Sequence, residues 1–467
     1  MHQKESDSVV VAALGEVFLG AALRTDSASL SYYGSDWTQL HAADPLAVVF
    51  PCSTEQVQRL VLLANEFDLA LVPSGGRTGL SGGAVAHADE VVVCFENMNS
   101  LRDFNAVDRT VVCEAGVITQ QLQAFAVAQG FYYPVDFASS GSSQIGGNIA
   151  TNAGGIKVIR YGLTRDWVVG LTVVTGKGDV LELNKGLLKN ATGYDLRHLF
   201  IGSEGTLGFI TEATIRLAQA PRNLTVMVLA VASFDALMPV LQRFQQATTL
   251  TAFEFFSDRA LGYVLAAGDV RRPMAIHAPC YALLEYEALS DGVEKAVMQA
   301  FDEGVEEGLI MDGVASQNEQ QARDLWHLRE GISPALAACT PYKNDLSVVV
   351  SKVPEFLARI EEVVTQRYPD FDIIWYGHIG DGNLHLNILK PETMDKATFF
   401  STCGQVSEDI FEVVAQLGGS VSAEHGVGLL KKEALSYSRS VEELAYFRAM
   451  KQAFDPQGIM NPGKMFD

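Results

Sequence analysis

Two dense glycine-rich stretches, each entered from a strand-like or extended segment, constrain this chain most. The first is Pro73-Ser74-Gly75-Gly76-Arg77-Thr78-Gly79-Leu80-Ser81-Gly82-Gly83, and the second runs over Gly141–Gly155. Glycine reaches positive φ at little cost, and neighbouring N–H groups can then converge into a nest that holds a pyrophosphate. The first stretch lacks the Gly-Lys-Ser/Thr ending of a Walker A loop. Neither stretch opens a βαβ unit in the manner of a Rossmann fingerprint. One such loop is as readily a turn in a sheet-rich domain. Two of them, together with Gly202-Ser203-Glu204-Gly205-Thr206-Leu207-Gly208, point instead to a bound dinucleotide.

At 467 residues the chain exceeds one ordinary core, so two domains are expected. A net charge of −22 leaves no basic stripe and argues against a nucleic-acid partner. The six cysteines (Cys52, Cys94, Cys113, Cys280, Cys339, Cys403) show no CxxC spacing, which predicts a reducing, cytoplasmic setting. Val9–Leu23, broken by Glu16 and without a basic leader, reads as an amphipathic helix rather than a signal peptide. No uninterrupted apolar run is long enough for a transmembrane span. A short strand at Leu46–Phe50 leads into Ser53-Thr54-Glu55-Gln56, which caps a helix to about Phe67. Further strands are expected at Leu69–Val72, Val91–Phe95 and Thr110–Glu114, with a helix at Thr119–Gln129, and strands and turns continue to Ile215–Leu217. Ala218–Asn223 is the linker candidate. Beyond it, strands at Leu224–Val231 and Tyr281–Glu287 alternate with helices at Phe234–Gln246, Asp291–Glu307 and Phe399–Leu417. The predicted boundaries are 1–220, 221–420 and a returning C-terminal segment 421–467.

Near the C-terminus, Gly377-His378-Ile379-Gly380-Asp381-Gly382-Asn383-Leu384-His385-Leu386-Asn387 reads as a β-hairpin. Ile373–Tyr376 runs in, Asp381-Gly382 makes a two-residue turn, and Leu384–Ile388 runs out. That register opposes His378 to His385, and directly opposed residues share a sheet face. Two imidazoles so placed can chelate one metal ion, and Asn387 shares the face. In Ala423-Glu424-His425-Gly426-Val427-Gly428, Glu424 offers an oxygen ligand and His425 a further imidazole. Two His and one carboxylate with open positions describe a catalytic metal site, suited to zinc or manganese. Glu424 and His425 are neighbours, so roles for both require an irregular backbone, which Gly426 and Gly428 allow.

The motifs are recognisable. Pro73–Gly83, Ser140–Gly155, Lys189-Asn190-Ala191-Thr192-Gly193-Tyr194-Asp195, Gly202–Ile210 and Asn461-Pro462-Gly463-Lys464 resemble the FAD-linked dehydrogenases of the vanillyl-alcohol oxidase fold. Within that superfamily the chain is most similar to the D-2-hydroxyglutarate and D-lactate dehydrogenase family, from about residue 40 to 467. The resemblance implies an α+β protein: a two-subdomain FAD-binding domain and a substrate domain built on an antiparallel sheet with helices.

It also implies roles. His378, His385 and Glu424 bind a divalent metal, and His425 is the catalytic base. Arg329 holds the substrate C1 carboxylate, while Lys343 and Ser333 reach a distal one, with Asn387 also on the substrate. Read without the resemblance, Arg329 and Lys343 are ordinary surface cations. Ser333 stands where the hydroxyglutarate enzymes carry Thr, keeping the hydroxyl and losing the methyl. FAD contacts are expected from Pro73, Gly75, Gly76, Arg77, Thr78, Gly79, Gly82, Ser140, Gly141, Ser142, Gly146, Gly147, Asn148, Thr151, Asn152, Gly154, Gly155, Gly205, Ile210 and Asn461. Superfamily members that tether the flavin through this loop carry His after the Gly-Gly pair. Here Arg77 follows Gly76 and no His or Cys lies in Pro73–Gly83, so the FAD is expected to be non-covalent. The implied reaction is oxidation of D-2-hydroxyglutarate to 2-oxoglutarate, with D-lactate or glycolate oxidation, or a non-catalytic electron-relay subunit, as alternatives. The implied partners are a small 2-hydroxy acid, an electron-transfer flavoprotein or quinone as acceptor, and a second copy of the chain in a homodimer.

Overall fold

The structure, a computed structural model, describes residues 2–87, 89–268 and 270–466. The chain divides into two units: Met1–Gly154 with Leu163–Ala220 and Glu424–Asp467, and Gly155–Gly162 with Pro221–Ala423.

In the first unit, strands β1 (Leu23–Arg24), β2 (Ala47–Val49), β3 (Leu71–Ser74) and β4 (Val91–Cys94) form a sheet in the order β1-β2-β4-β3. β2, β4 and β3 run parallel, and their short apolar runs are buried, as a sheet covered on both faces requires. The helix Thr54–Phe67 starts where its sequence signal falls. The Ser53 hydroxyl accepts the Gln56 N–H at 3.3 Å, and the Gln56 side chain accepts the Cys52 N–H at 2.9 Å. Such a cap contributes about 1 kcal/mol. Val57, Leu60, Val61 and Ala64 carry its buried face onto β2 and β4. The N-terminal helix spans His2–Val17, earlier than the periodicity of Val9–Leu23 predicts. Gly20, at φ 59°, turns the chain, and Leu23 already belongs to β1.

The second sheet of this unit is antiparallel. It holds β5 (Leu101–Asn105), β6 (Thr110–Glu114), β8 (Val168–Thr175), β9 (Val180–Leu183) and β10 (Gly208–Arg216) in the order β5-β6-β10-β8-β9. A two-stranded ribbon pairs β7 (Phe131–Tyr132) with β11 (Ala218–Gln219). The C-terminal tail runs beside β3, where Asn461 N–H donates to the Leu71 carbonyl at 2.8 Å.

The second unit is a seven-stranded antiparallel sheet: β12 (Leu224–Val231), β13 (Leu250–Ser257), β14 (Cys280–Glu287), β15 (Ile310–Ala315), β16 (Pro341–Ser347), β17 (Ile373–Gly377) and β18 (Asn383–Leu389). Their order is β15-β12-β14-β13-β17-β18-β16. One face is covered by the helices Asp258–Ala267, Glu319–Glu330 and Ile332–Leu336, with Phe256, Tyr281, Leu283, Leu328 and Ile332 in the core between. Gly155–Gly162 leaves the first unit's sequence to join this one. Its Lys157 is buried against the Glu285 carboxylate, which also accepts from Thr251 Oγ1 at 2.5 Å and Trp326 Nε1 at 3.0 Å. Among the described residues no helix is long and apolar enough to cross a membrane.

Candidate active site

The hairpin forms, but not in the expected register. Tyr376 opposes His385, Trp375 opposes Leu386, and Ile374 opposes Asn387. His378 is therefore not opposite His385. The expected pairings of Ile379 with Leu384 and Gly380 with Asn383 are absent as well, because His378–Gly382 forms a loop in place of a two-residue turn. Tertiary contacts outweigh the local Asp-Gly preference. Gly380 N–H donates to the Phe253 carbonyl at 3.0 Å, and the Asn383 side chain donates to Asp345 and to the Leu346 carbonyl at 2.9 Å each. Gly382, at φ 86°, packs so close to the Val348 carbonyl that no Cβ fits. The shift is an even number of residues, so it preserves the face. The two imidazoles meet edge to face, with ring centroids 5.3 Å apart.

Each hairpin histidine turns Nδ1 towards a buried carboxylate. His378 Nδ1 lies 2.9 Å from Glu254 Oε1, and His385 Nδ1 lies 3.7 Å from Asp345 Oδ1. Glu254 comes from β13, and Asp345 from β16, where it opposes His385 directly. Asn387 opposes Lys343 and is 1 % exposed. Among the described residues neither atom of its amide has a hydrogen-bond partner, a costly arrangement unless a ligand completes it.

Arg329 is buried at the end of the helix Glu319–Glu330, not solvated. Its Nη2 is 3.0 Å from Glu254 Oε2, its guanidinium lies 4.8 Å from the centre of the Tyr376 ring, and its Nε has no partner among the described residues. Ser333, in the next helix, accepts from Lys343 Nζ at 3.4 Å. Desolvation pulls the Lys343 ammonium below its ordinary pKa. Arg329, Ser333, Lys343, Asn387, His378 and His385 thus all belong to the second unit.

In the first unit the glycine-rich segments pack on one another. Gly76 lies against the Ser142 carbonyl with no room for a Cβ, and a Cβ on Gly146 would come 2.7 Å from that of Ala115. Gly205, at φ 73°, would meet Pro73 Cγ at 2.6 Å. Arg77 is left-handed at φ 56°, and the N–H groups of Gly75, Gly76, Arg77, Thr78 and Gly79 donate to no acceptor among the described residues. A Cβ on Gly147 would meet open space. These are the features of an anion nest with room in front of it.

Other side chains expected at the flavin are engaged within the loops. Arg77 bonds Glu96 at 3.1 Å and Tyr32 at 3.0 Å. Asn148 donates to Thr119 at 2.6 Å, Thr151 to the Gly147 carbonyl at 3.1 Å, and Asn152 accepts from Arg165 N–H at 3.1 Å. Asn461 donates to the carbonyls of Gly83 and Glu204 at 2.9 and 2.7 Å. Gly82 N–H donates to Asp36, and Ile210 is a buried residue of β10. Ser140, Gly141 and Ser142 form the turn before the short helix Ile145–Ala150. Gly154 closes the first unit's segment, and Gly155 begins the second unit's.

Glu424 and His425 sit in irregular chain turned by Gly426 at φ 77° and Gly428 at φ 50°. Glu204 holds this segment by accepting the Val427 and Gly428 N–H groups at 2.7 and 2.8 Å, and desolvation raises its pKa. Ala423, one residue earlier, donates to the Asp345 carbonyl at 3.3 Å within the second unit. Glu254, Asp345 and Glu204 escaped the sequence reading. Glu254 has a signal: a lone acid inside the apolar strand run Ala252–Phe256.

The chain belongs to the FAD-linked oxidase family. Residues 220–465 match the family model described as FAD linked oxidases, C-terminal domain, and residues 45–184 match an FAD binding domain. The first unit is accordingly an FAD-binding domain. Two bacterial relatives are named D-2-hydroxyglutarate dehydrogenase. That of Stutzerimonas stutzeri is 60 % identical, covering 95 % of each chain; that of Xanthomonas citri is 53 % identical, covering 95 % of this chain and 94 % of the relative. A bovine mitochondrial protein of the same name is 36 % identical over 97 % of this chain and 83 % of its own. Among solved structures, p-cresol methylhydroxylase with substrate bound superposes with a TM-score of 0.79 at 14 % identity, covering 99 % and 97 % of the two chains, which establishes the shared fold.

Proposed function

We propose that this protein is an FAD-dependent, metal-assisted dehydrogenase that oxidises D-2-hydroxyglutarate to 2-oxoglutarate. The carrying observation is the polar end of one sheet face, where His378, His385, Asn387, Arg329 and Lys343 gather and the Asn387 amide has no hydrogen-bond partner among the described residues. The names of the bacterial relatives support the choice of substrate.

The donor set fits a divalent cation: two imidazoles whose Nδ1 atoms face carboxylates, leaving Nε2 for a ligand, and Glu424 as the third ligand. Zinc or manganese suits such a set, and when bound it supplies a Lewis acid that lowers the pKa of the C2 hydroxyl. FAD is non-covalent in this reading and supplies the hydride acceptor. Arg329 orients the substrate through its C1 carboxylate, and Lys343 with Ser333 takes the C5 carboxylate. Asn387 fixes the reacting end, and His425 takes the hydroxyl proton. A monocarboxylate such as D-lactate or glycolate would leave Lys343 unpaired.

The six free cysteines, four of them buried, support a cytoplasmic setting. An electron-transfer flavoprotein or a quinone would reoxidise the flavin, and the working unit would be a homodimer. The test is anaerobic flavin bleaching with a panel of D- and L-2-hydroxy acids. Fast bleaching by D-2-hydroxyglutarate is expected. No bleaching by any of them would leave an electron-relay subunit, and preference for D-lactate would move the substrate to the monocarboxylate side.

A further inference from the structure

Glu254 is the one charged residue of β13 and is itself buried. A bare carboxylate there would be costly, and this one has an imidazole and a guanidinium beside it. His378 Nδ1 lies 2.9 Å from Oε1 and 2.8 Å from Oε2, and Arg329 Nη2 lies 3.0 Å from Oε2. An ion pair needs only the arginine, so the second contact calls for its own explanation. An ionised carboxylate only accepts, which puts the proton of the neutral imidazole on Nδ1 and its lone pair on Nε2.

We propose that Glu254 is the positioning residue of this site, its carboxylate setting the tautomer and plane of His378 for metal binding and holding the guanidinium of Arg329 beside it. This rests on the metal reading above. One carboxylate then ties the two ends of substrate recognition together: the metal side, through His378, and the C1 carboxylate side, through Arg329. The Tyr376 ring, packed on the guanidinium at 4.8 Å, holds the arginine from its other flank. The helix that carries Arg329 is held at Trp326 in the same manner, by Glu285 at 3.0 Å.

The test uses FAD-loaded protein stripped of metal by a chelator and titrated with Zn²⁺ alone, then with Co²⁺ for its visible spectrum. Glu254→Gln should weaken Zn²⁺ binding about 10–100-fold, the usual effect of losing the carboxylate behind a ligating histidine. It should also shift the Co²⁺ bands. Arg329→Lys, which keeps a cation beside Glu254, should leave Zn²⁺ affinity within about twofold while raising KM for every 2-hydroxy acid. Should Glu254→Gln fail to fold, Glu254→Gln/Arg329→Met removes both charges together and is read in the same way. Wild-type protein that binds neither ion would overturn the metal reading and the proposal with it. Wild-type binding with unchanged affinity and spectrum in the Gln variants would overturn the role of Glu254 alone.

Discussion

Lys343→Ala should separate diacids from monoacids. Lys343 opposes Asn387, and Asp345 opposes His385, so the lysine stands one same-face step from the His385 rung. That step is roughly 6.8 Å at 3.4 Å per residue. A five-carbon diacid extends roughly 5 Å from C1 to C5, taking about 1.5 Å per bond at tetrahedral angles. A molecule held by C1 and C2 at the histidines therefore brings C5 within reach of the ammonium, and lactate does not. The ammonium has Ser333 Oγ at 3.4 Å for company and is partly desolvated, so an arriving carboxylate gains a charge-assisted hydrogen bond. Such a bond contributes about 1.5–3 kcal/mol, or one to two decades in kcat/KM. Solvent reaches the lysine, which places the effect towards the lower end, about 10–30-fold.

The assay is kcat/KM with a dye acceptor on D-2-hydroxyglutarate and D-lactate, in wild type and in Lys343→Ala. The diacid should lose that factor and D-lactate almost nothing. Binding needs the charged lysine, and its pKa lies below the ordinary 10.5. For the diacid, kcat/KM should therefore fall as pH rises through that lowered value, and Lys343→Arg should move the fall to higher pH. An equal loss on both acids, or the same alkaline limb on both, would refute the reasoning.

His425→Ala should lower kcat about 10²–10⁴-fold with metal content unchanged, measured by turnover and elemental analysis; loss of the metal with normal turnover after its return would remove the base assignment. Chelation should abolish turnover while the flavin stays bound, and full activity of metal-free protein would contradict the metal's role. Gly76→Ala drives a Cβ into the Ser142 carbonyl and should cost about 1–3 kcal/mol, lowering both Tm and the FAD-to-protein absorbance ratio; a fully flavinated variant with wild-type Tm would count against the packed-loop account.

Local signals were legible wherever local chemistry decides the outcome. The Ser53 cap, the strand Leu224–Val231 and the helix from Asp291 follow from capping residues and alternation. The hairpin shows the limit. Asp381-Gly382 is a good turn pair, yet Phe253, Val348 and Asp345 impose a longer loop, and none of these is near it in sequence. Face survived where register did not, because a shift of two residues leaves parity intact. Arg329 and Lys343 illustrate a second limit. Both are bare cations in the sequence, and only the fold gives one a buried carboxylate and sets the other beside a hydroxyl.

The excursion Gly155–Gly162 sets an order of events during synthesis. Lys157 and its partner Glu285 are separated by 128 positions, so a ribosome adding about 5–20 residues per second makes the lysine roughly 6–26 s before the carboxylate exists. Through that interval Ile156, Val158 and Ile159 have no sheet to rest on. The first unit waits as well, since Asn461 supplies the bonds to Gly83, Glu204 and Leu71 and lies 378 positions beyond Gly83. Neither unit can close while the chain is still growing through its middle. A fragment cut at Pro221–Ala423 inherits the same gap permanently: Glu285 stays buried with its cation missing, a defect of about 3–5 kcal/mol.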